Sequence, residues 1–162
     1  MHRSRPLHGR WPRRPSHVRL RVQAVRTVSA PSEFPRRDTR PGAPLLRVTS
    51  TTIPGSAAII HVHGDVDQDT RRALDEALAK AIVDRPPLLV VDLAGLGFCY
   101  SVCLNALLSA RRDANAAGTR MALAAVTPQA LRVLKLTETD RLFTLHDSVH
   151  AALDGESDRP TG

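Results

Sequence analysis

From residue 44 onward, apolar and polar positions follow two periods that trade places along the chain. Leu45 to Thr51 alternates closely enough with period two to predict a strand, and Ala57 to Val62 predicts a second, ending at Gly64. Asp65-Val66-Asp67 then reads as a loop, and Asp69 or Thr70 is placed to cap a helix by accepting from its exposed N–H groups. In that helix Ala73, Leu74, Ala77, Leu78, Ala81 and Ile82 recur at helical spacing, leaving Arg71, Arg72, Asp75, Glu76 and Lys80 for solvent. Pro86-Pro87 forbids its continuation. Leu88 to Leu93 is almost wholly apolar, as a central strand covered on both faces must be.

A helix from about Ser101 to Ala117 follows, with Leu104, Leu107, Leu108 and Ala114 on its core side and Gly118 as its left-handed terminator. Met121 to Val126 predicts another interior strand. Thr127-Pro128 opens a helix, with Thr as cap and Pro in the first turn, and turns Ala130, Leu131 and Leu134 inward. Leu142 to Leu145 predicts a last short strand, and Asp147 caps a final helix carrying Val149, Ala152 and Leu153. The order is β-β-α-β-α-β-α-β-α. Strands alternating with helices make crossover units, so the expected fold class is a single α/β domain with a mixed, mostly parallel sheet and four helices, its edge formed by the first hairpin.

Charge divides the chain. The formal net charge is +7, but residues 1–43 hold 11 Arg against only Glu33 and Asp38, a balance of +9, while the remainder holds 12 basic and 14 acidic side chains, a balance of −2. A nearly neutral globular part argues against a nucleic-acid-binding fold. Residues 1–43 are rich in Arg and Pro without sustained periodicity and are expected to be a disordered tail. Three readings of it stand open: a non-functional extension, a basic arm for nucleic acid or an acidic partner, and a transit-like peptide. The domain is expected over residues 44–154, with a polar, frayed tail over 155–162. No apolar run reaches membrane-spanning length and the N-terminus lacks an apolar signal core, so a cytoplasmic protein without membrane contact is expected.

Candidate chemistry centres on Val90 to Leu108, a buried strand, a short loop and a helix that begins at Ser101. Ser101 is open to two readings: a helix cap, or a phosphate acceptor whose added charge the helix start would tolerate. Cys99 and Cys103 flank it. Two cysteines are too few for a disulfide framework or a four-ligand zinc site, and they read either as small buried hydrophobes or as a redox-sensitive pair, Cys103 with its acidity raised by the helix start. His61 and His63 share a strand face at chelating distance but lack a third ligand, and Asp65, Asp67 and Asp69 alternate like a calcium loop without its Gly and terminal Glu. Thr137-Glu138-Thr139-Asp140 reads as a turn. No His adjoins Ser101 in sequence and no Gly-x-Ser-x-Gly elbow is present, so no catalytic residue, metal or cofactor is expected.

In order and at matching spacing, these pieces resemble the STAS domain, and within it the bacterial anti-sigma factor antagonists. Gly64-Asp65-Val66-Asp67 is similar to that family's G-E-L-D turn, and Asp92-Leu93-Ala94-Gly95-Leu96-Gly97-Phe98 to its D-L-S-G-V-x-F segment. Ala114 to Ala124 resembles its helix end and following strand, and Leu131 to Phe143 its L-x-x-L-x-L-T-G-L-D-x-L-F segment. The resemblance covers about residues 45–153. It implies a non-enzymatic regulator of transcription that binds an anti-sigma factor, itself a serine kinase, and thereby releases a sigma factor. It also implies phosphorylation at Ser101, the position of the family's first serine in D-S-S/T-G-L. Here that motif reads Tyr100-Ser101-Val102-Cys103-Leu104, so its acid, second hydroxyl and glycine are replaced. The residues implied in partner binding are Asp67, Tyr100, Ser101, Val102, Cys103 and Asn105. The alternative is a STAS scaffold that works unmodified in a signalling complex.

Overall fold

The computed structural model describes residues 21–27 and 46–157. Its elements run β1 (Arg21–Thr27), β2 (Arg47–Ile53), β3 (Ala57–Val66), α1 (Arg71–Val83), β4 (Leu88–Cys99), α2 (Ser101–Ala116), β5 (Arg120–Ala124), α3 (Pro128–Leu136), a 3-10 turn (Thr139–Leu142), β6 (Thr144–His146) and α4 (Val149–Ser157). From β2 onward this is the expected order, with the 3-10 turn added.

The strands lie in the sheet in the order of the chain, β1-β2-β3-β4-β5-β6. The pairs β1–β2 and β2–β3 are antiparallel, and β3–β4, β4–β5 and β5–β6 are parallel. Because each crossover steps in the same direction, right-handed connections must place α1, α2 and α3 on one face. The core follows suit. Leu74, Leu78 and Ile82 of α1, Leu104 and Leu107 of α2, and Ala130 and Leu134 of α3 pack with Ile60, Val62, Leu89, Val91, Leu93 and Leu123 of the sheet. On the opposite face α4 brings Val149, Ala152 and Leu153 against Ala57, Ile59, Leu88, Val90, Ala122 and Ala124. Alternate residues of β3, β4 and β5 therefore enter two different cores, which is why Leu88 to Leu93 carries no polar position before Asp92.

Several helix ends obey the local rules. The Thr127 hydroxyl accepts from Ala130 N at 3.2 Å with Pro128 in the first turn of α3, and Gly118 ends α2 at φ +75°. Other boundaries differ from expectation. The cap of α4 is Ser148, whose hydroxyl accepts from Ala151 N at 3.0 Å, not Asp147. That helix continues through Gly155 to Ser157, past the expected end of the domain. The last strand starts at Thr144, because Leu142 belongs to the 3-10 turn.

Two corrections bear on the site. The tail over 1–43 is not wholly without structure: Arg21–Thr27 forms β1, and the rest of that segment lies outside the described residues. The reason is on its partner. The outer edge of β2 would otherwise expose a row of unpaired backbone groups, and β1 pairs along it from Thr52 to Arg47. Second, the expected loops after Gly64 and Leu93 are strand. β3 runs to Val66 and β4 to Cys99, and the two remain paired to their ends through Val66 and Cys99.

Candidate functional site at the start of helix α2

The pairing of Val66 with Cys99 ends β3 and β4 side by side, so Asp67 and Tyr100 leave the sheet at the same edge. Each strand then enters a helix, β3 through Asp67 to Thr70 into α1, and β4 directly through Tyr100 into α2. This is the carboxyl edge of the parallel strands, where open α/β sheets place their binding surfaces.

β4 reaches that edge by two irregularities. Its register against β3 slips between His61 and His63, and again between Gly64 and Val66, each time by one extra residue in β4. Both slips are held by a carboxylate. Asp92 Oδ1 accepts from Ala94 N at 3.0 Å, and Asp65 Oδ1 accepts across the strands from Phe98 N at 2.9 Å. The glycines between them make room for side chains of β3: a Cβ on Gly95 would fall within the His63 ring, and one on Gly97 on the Asp65 carboxylate. Thus the Asp-x-x-Gly-x-Gly pattern, with Asp65 facing it from β3, is a device that aims the end of β4, and the carboxylates of Asp92 and Asp65 are both engaged in it. Asp92 also bonds His61 Nδ1 through its second oxygen at 2.7 Å, and His61 Nε2 lies 3.5 Å from the Thr51 hydroxyl.

Asp67 has a similar role before α1. Its Oδ1 accepts from Asp69 N at 3.0 Å, from Thr70 N at 2.9 Å and from the Thr70 hydroxyl at 3.0 Å. The expected caps are therefore inverted. Thr70 occupies the cap position, but its hydroxyl makes no bond into the helix, and it is Asp67 that folds the turn. With Asp65 turned to Phe98 and Asp67 to Thr70, the alternating aspartates do not converge, and no group of three metal-ligating side chains is found among the described residues.

At α2 the cap position belongs to Tyr100, in extended conformation at φ −86° and ψ 170°, which corrects the reading of Ser101 as a cap. Ser101 is the first residue of the helix and exposed. Its hydroxyl makes no hydrogen bond among the described residues, and the first turn contains no acidic side chain. The leading N–H groups of α2 thus face outward without a side-chain acceptor, at the positive end of the helix dipole. Tyr100 is 52% exposed and stacks on Phe98 with ring centroids 5.7 Å apart. Asn105 is exposed one turn along the same helix, and Val102 is half-buried against the core.

Cys103 departs from the expected surface. It is fully buried at 0% exposure, because the third helical position turns back over the sheet, and it cannot touch a partner. Cys99 is buried too. The hydrogen bond between the two thiols holds Cys99 below its ordinary value. The same bond, together with burial, pushes Cys103 up, opposite to the activation expected from a helix start. The structure therefore gathers Asp67, Tyr100, Ser101 and Asn105 at one edge, half-buries Val102 and removes Cys103. Sequence reasoning placed Thr70 at the start of α1 but missed its bond to Asp67, which the Asp-x-x-Thr spacing put within reach. It also missed the bond between Asp65 and Phe98, which are 33 residues apart with nothing local to link them.

Fold and site together define an α/β module with a bare helix start beside an aromatic pair at one edge of its sheet. The family model described as "Mlab, STAS domain" matches residues 49–157. The anti-sigma-F factor antagonist RsfB of Mycobacterium tuberculosis is 33% identical over 106 residues, spanning 63% of this chain and 86% of RsfB. The chain belongs to the STAS domain family of anti-sigma factor antagonists. Among solved structures, an anti-sigma factor antagonist from Mycobacterium paratuberculosis superposes with TM-score 0.63 at 27% identity, over 70% of this chain and 95% of that one. The phosphorylated form of the Bacillus cell fate determinant SpoIIAA shares the fold, with TM-score 0.56 at 15% identity over 67% of this chain and 98% of that one. No helix among the described residues is long and apolar enough to cross a membrane.

Proposed function

We propose that the chain binds an anti-sigma factor of the serine-kinase type through Tyr100, Ser101 and Asn105, with Val102 and Asp67 beside them, and so frees a sigma factor. Phosphorylation of Ser101 by that kinase ends the binding. The observation that carries the reading is the state of Ser101: exposed, first in its helix, with an unengaged hydroxyl and no acid in the first turn. A phosphate there adds roughly −1.5 to −2 charges beside unsatisfied N–H groups, an arrangement worth about 0.3–1 kcal/mol to the helix. The fold thus accepts the modified state. A partner docked on the same surface does not, because the phosphate must be desolvated between Tyr100 and the partner's face.

The ATP belongs to the kinase, so the chain itself needs no cofactor and acts without catalysing a reaction. Its near-neutral domain is not a DNA-binding surface, and its partner is a protein. A second reading, an unmodified scaffold, is favoured by one feature. Tyr100 stands where the family has an acid, and its stack on Phe98 makes the surface apolar and suited to a standing contact. Binding of a kinase-type anti-sigma factor, measured with the parent, Ser101→Ala and Ser101→Asp, separates the two. The switch predicts parent-like affinity for Ser101→Ala and a loss of about tenfold or more for Ser101→Asp. Equal affinity for all three would rule it out.

A further inference from the structure

Two reactive side chains lie directly beneath the site and take no part in it. Cys99 is the last residue of β4 and Cys103 sits in the first turn of α2, with Tyr100 as the single residue between strand and helix. They are the chain's only cysteines. The turn between them is tight: Tyr100 is extended at φ −86° and ψ 170°, and its carbonyl already accepts from Leu104 N at 3.2 Å. Both side chains turn under the helix start into one apolar core, together with Val66, Leu96 and Leu107. There they meet thiol to thiol, each the hydrogen-bond partner of the other. A core position that only needs filling is served by Ala or Val, whereas two thiols in contact can be joined.

The two differ in access and in acidity. Cys99 keeps 7% of its surface exposed, and Cys103 keeps 0%. The shared hydrogen bond holds the Cys99 thiol below its ordinary value, and the same bond together with burial pushes Cys103 up. Cys99 is thus the sulfur that a small oxidant reaches and the one that supplies thiolate. Cys103 stands behind it, shielded from solvent and within reach of its product.

We propose that Cys99 and Cys103 form a reversible disulfide on exposure to peroxide, closing a ring that holds Tyr100, Ser101 and Val102. The Cys99 thiolate attacks hydrogen peroxide: an S–O bond forms, the O–O bond breaks, and the leaving hydroxide takes up the proton that Cys99 released. The Cys103 sulfur then attacks the Cys99 sulfenic acid. The S–S bond forms, the S–O bond breaks, and the departing hydroxide leaves as water with the Cys103 proton. Two thiols have passed two electrons to one peroxide, giving a disulfide and two waters. A dithiol reductant reverses the step by exchange. The chemistry needs no phosphate on Ser101 and no partner, and its product ties the first turn of α2 to the end of β4.

The test treats the full chain, freed of reductant, with hydrogen peroxide in modest excess and follows it by intact mass and by peptide mapping without reduction. The parent should lose the mass of two hydrogens within the peptide that carries both cysteines, as a monomer with unchanged far-UV circular dichroism. Cys103→Ala should instead hold a sulfenic acid on Cys99, trapped by dimedone, and Cys99→Ala should leave Cys103 unmodified over the same time. Backbone amides of residues 100–104 should exchange hydrogen several-fold more slowly in the oxidised parent, and dithiothreitol should restore the faster rate. A parent that collects sulfinic acid in place of the bond, or that bridges only between chains, overturns the proposal. So does a disulfide that unfolds the domain or leaves exchange at residues 100–104 unaltered.

Discussion

Gly97→Ala tests whether a carboxylate and a glycine from different strands form one device. The new Cβ would fall on Asp65 Oδ1, which accepts from Phe98 N at 2.9 Å. The carboxylate must turn away, losing a charge-assisted bond worth about 1.5–3 kcal/mol, with crowding on top. Gly97→Ala should therefore destabilise the domain by about 2–4 kcal/mol. Asp65→Ala loses the bond without crowding, about 1.5–3 kcal/mol. The double variant is the informative one. Without the carboxylate the nearest neighbour of the new methyl is the Gly64 carbonyl carbon at 3.5 Å, an ordinary contact, so the double variant should be no less stable than Asp65→Ala alone. Urea unfolding of the four proteins closes the cycle, with a coupling expected to match the cost of Gly97→Ala, about 2–4 kcal/mol. Additivity within about 0.5 kcal/mol would refute the reasoning, because Gly97 would then matter for its backbone and not for the space beneath Asp65.

Asp67→Ala should lower stability by about 1–3 kcal/mol through loss of the turn before α1, even with no partner present, as read by thermal melting. Cys103→Gly, which restores the family's residue, should destabilise by about 2 kcal/mol, since it empties a buried position and weakens helix α2. Thr119→Val should raise stability by about 1 kcal/mol, because the buried Thr119 hydroxyl has no hydrogen-bond partner among the described residues. In the folded protein Cys103 should resist alkylation at neutral pH far longer than Cys99, followed by peptide mass mapping, with both reacting freely in denaturant.

What could be read in the sequence was whatever periodicity and caps encode. The alternation of β-strands and helices, the Thr127-Pro128 start of α3 and the Gly118 end of α2 depend on neighbours within a few residues, and they stand where expected. The helical face of α1 was legible as well, although Ala73 and Ala77 proved too small to close over β2. The ends of β3 and β4 were not legible. Asp65-Val66 and Ala94 to Phe98 have the composition of loops, and they are strands because of cross-strand contacts: Asp65 with Phe98, His63 over Gly95. At the site, helix periodicity could have turned Cys103 inward, but the family's glycine at that position suggested open surface instead. β1 escaped notice because its one structural cause is the free edge of β2, which no local pattern in Arg21–Thr27 announces.

The central claim is that the start of α2 still functions as a phosphate-controlled contact although Tyr100, Val102 and Cys103 have replaced the family's residues. The most direct measurement incubates the full chain with a cognate anti-sigma kinase and ATP, then locates the modification by peptide mass spectrometry while following the complex by size-exclusion chromatography. The account predicts a single phosphate, on Ser101, and dissociation of the complex in step with its appearance. A complex that persists with Ser101 unmodified, or one that dissolves with the phosphate on another residue, would contradict it.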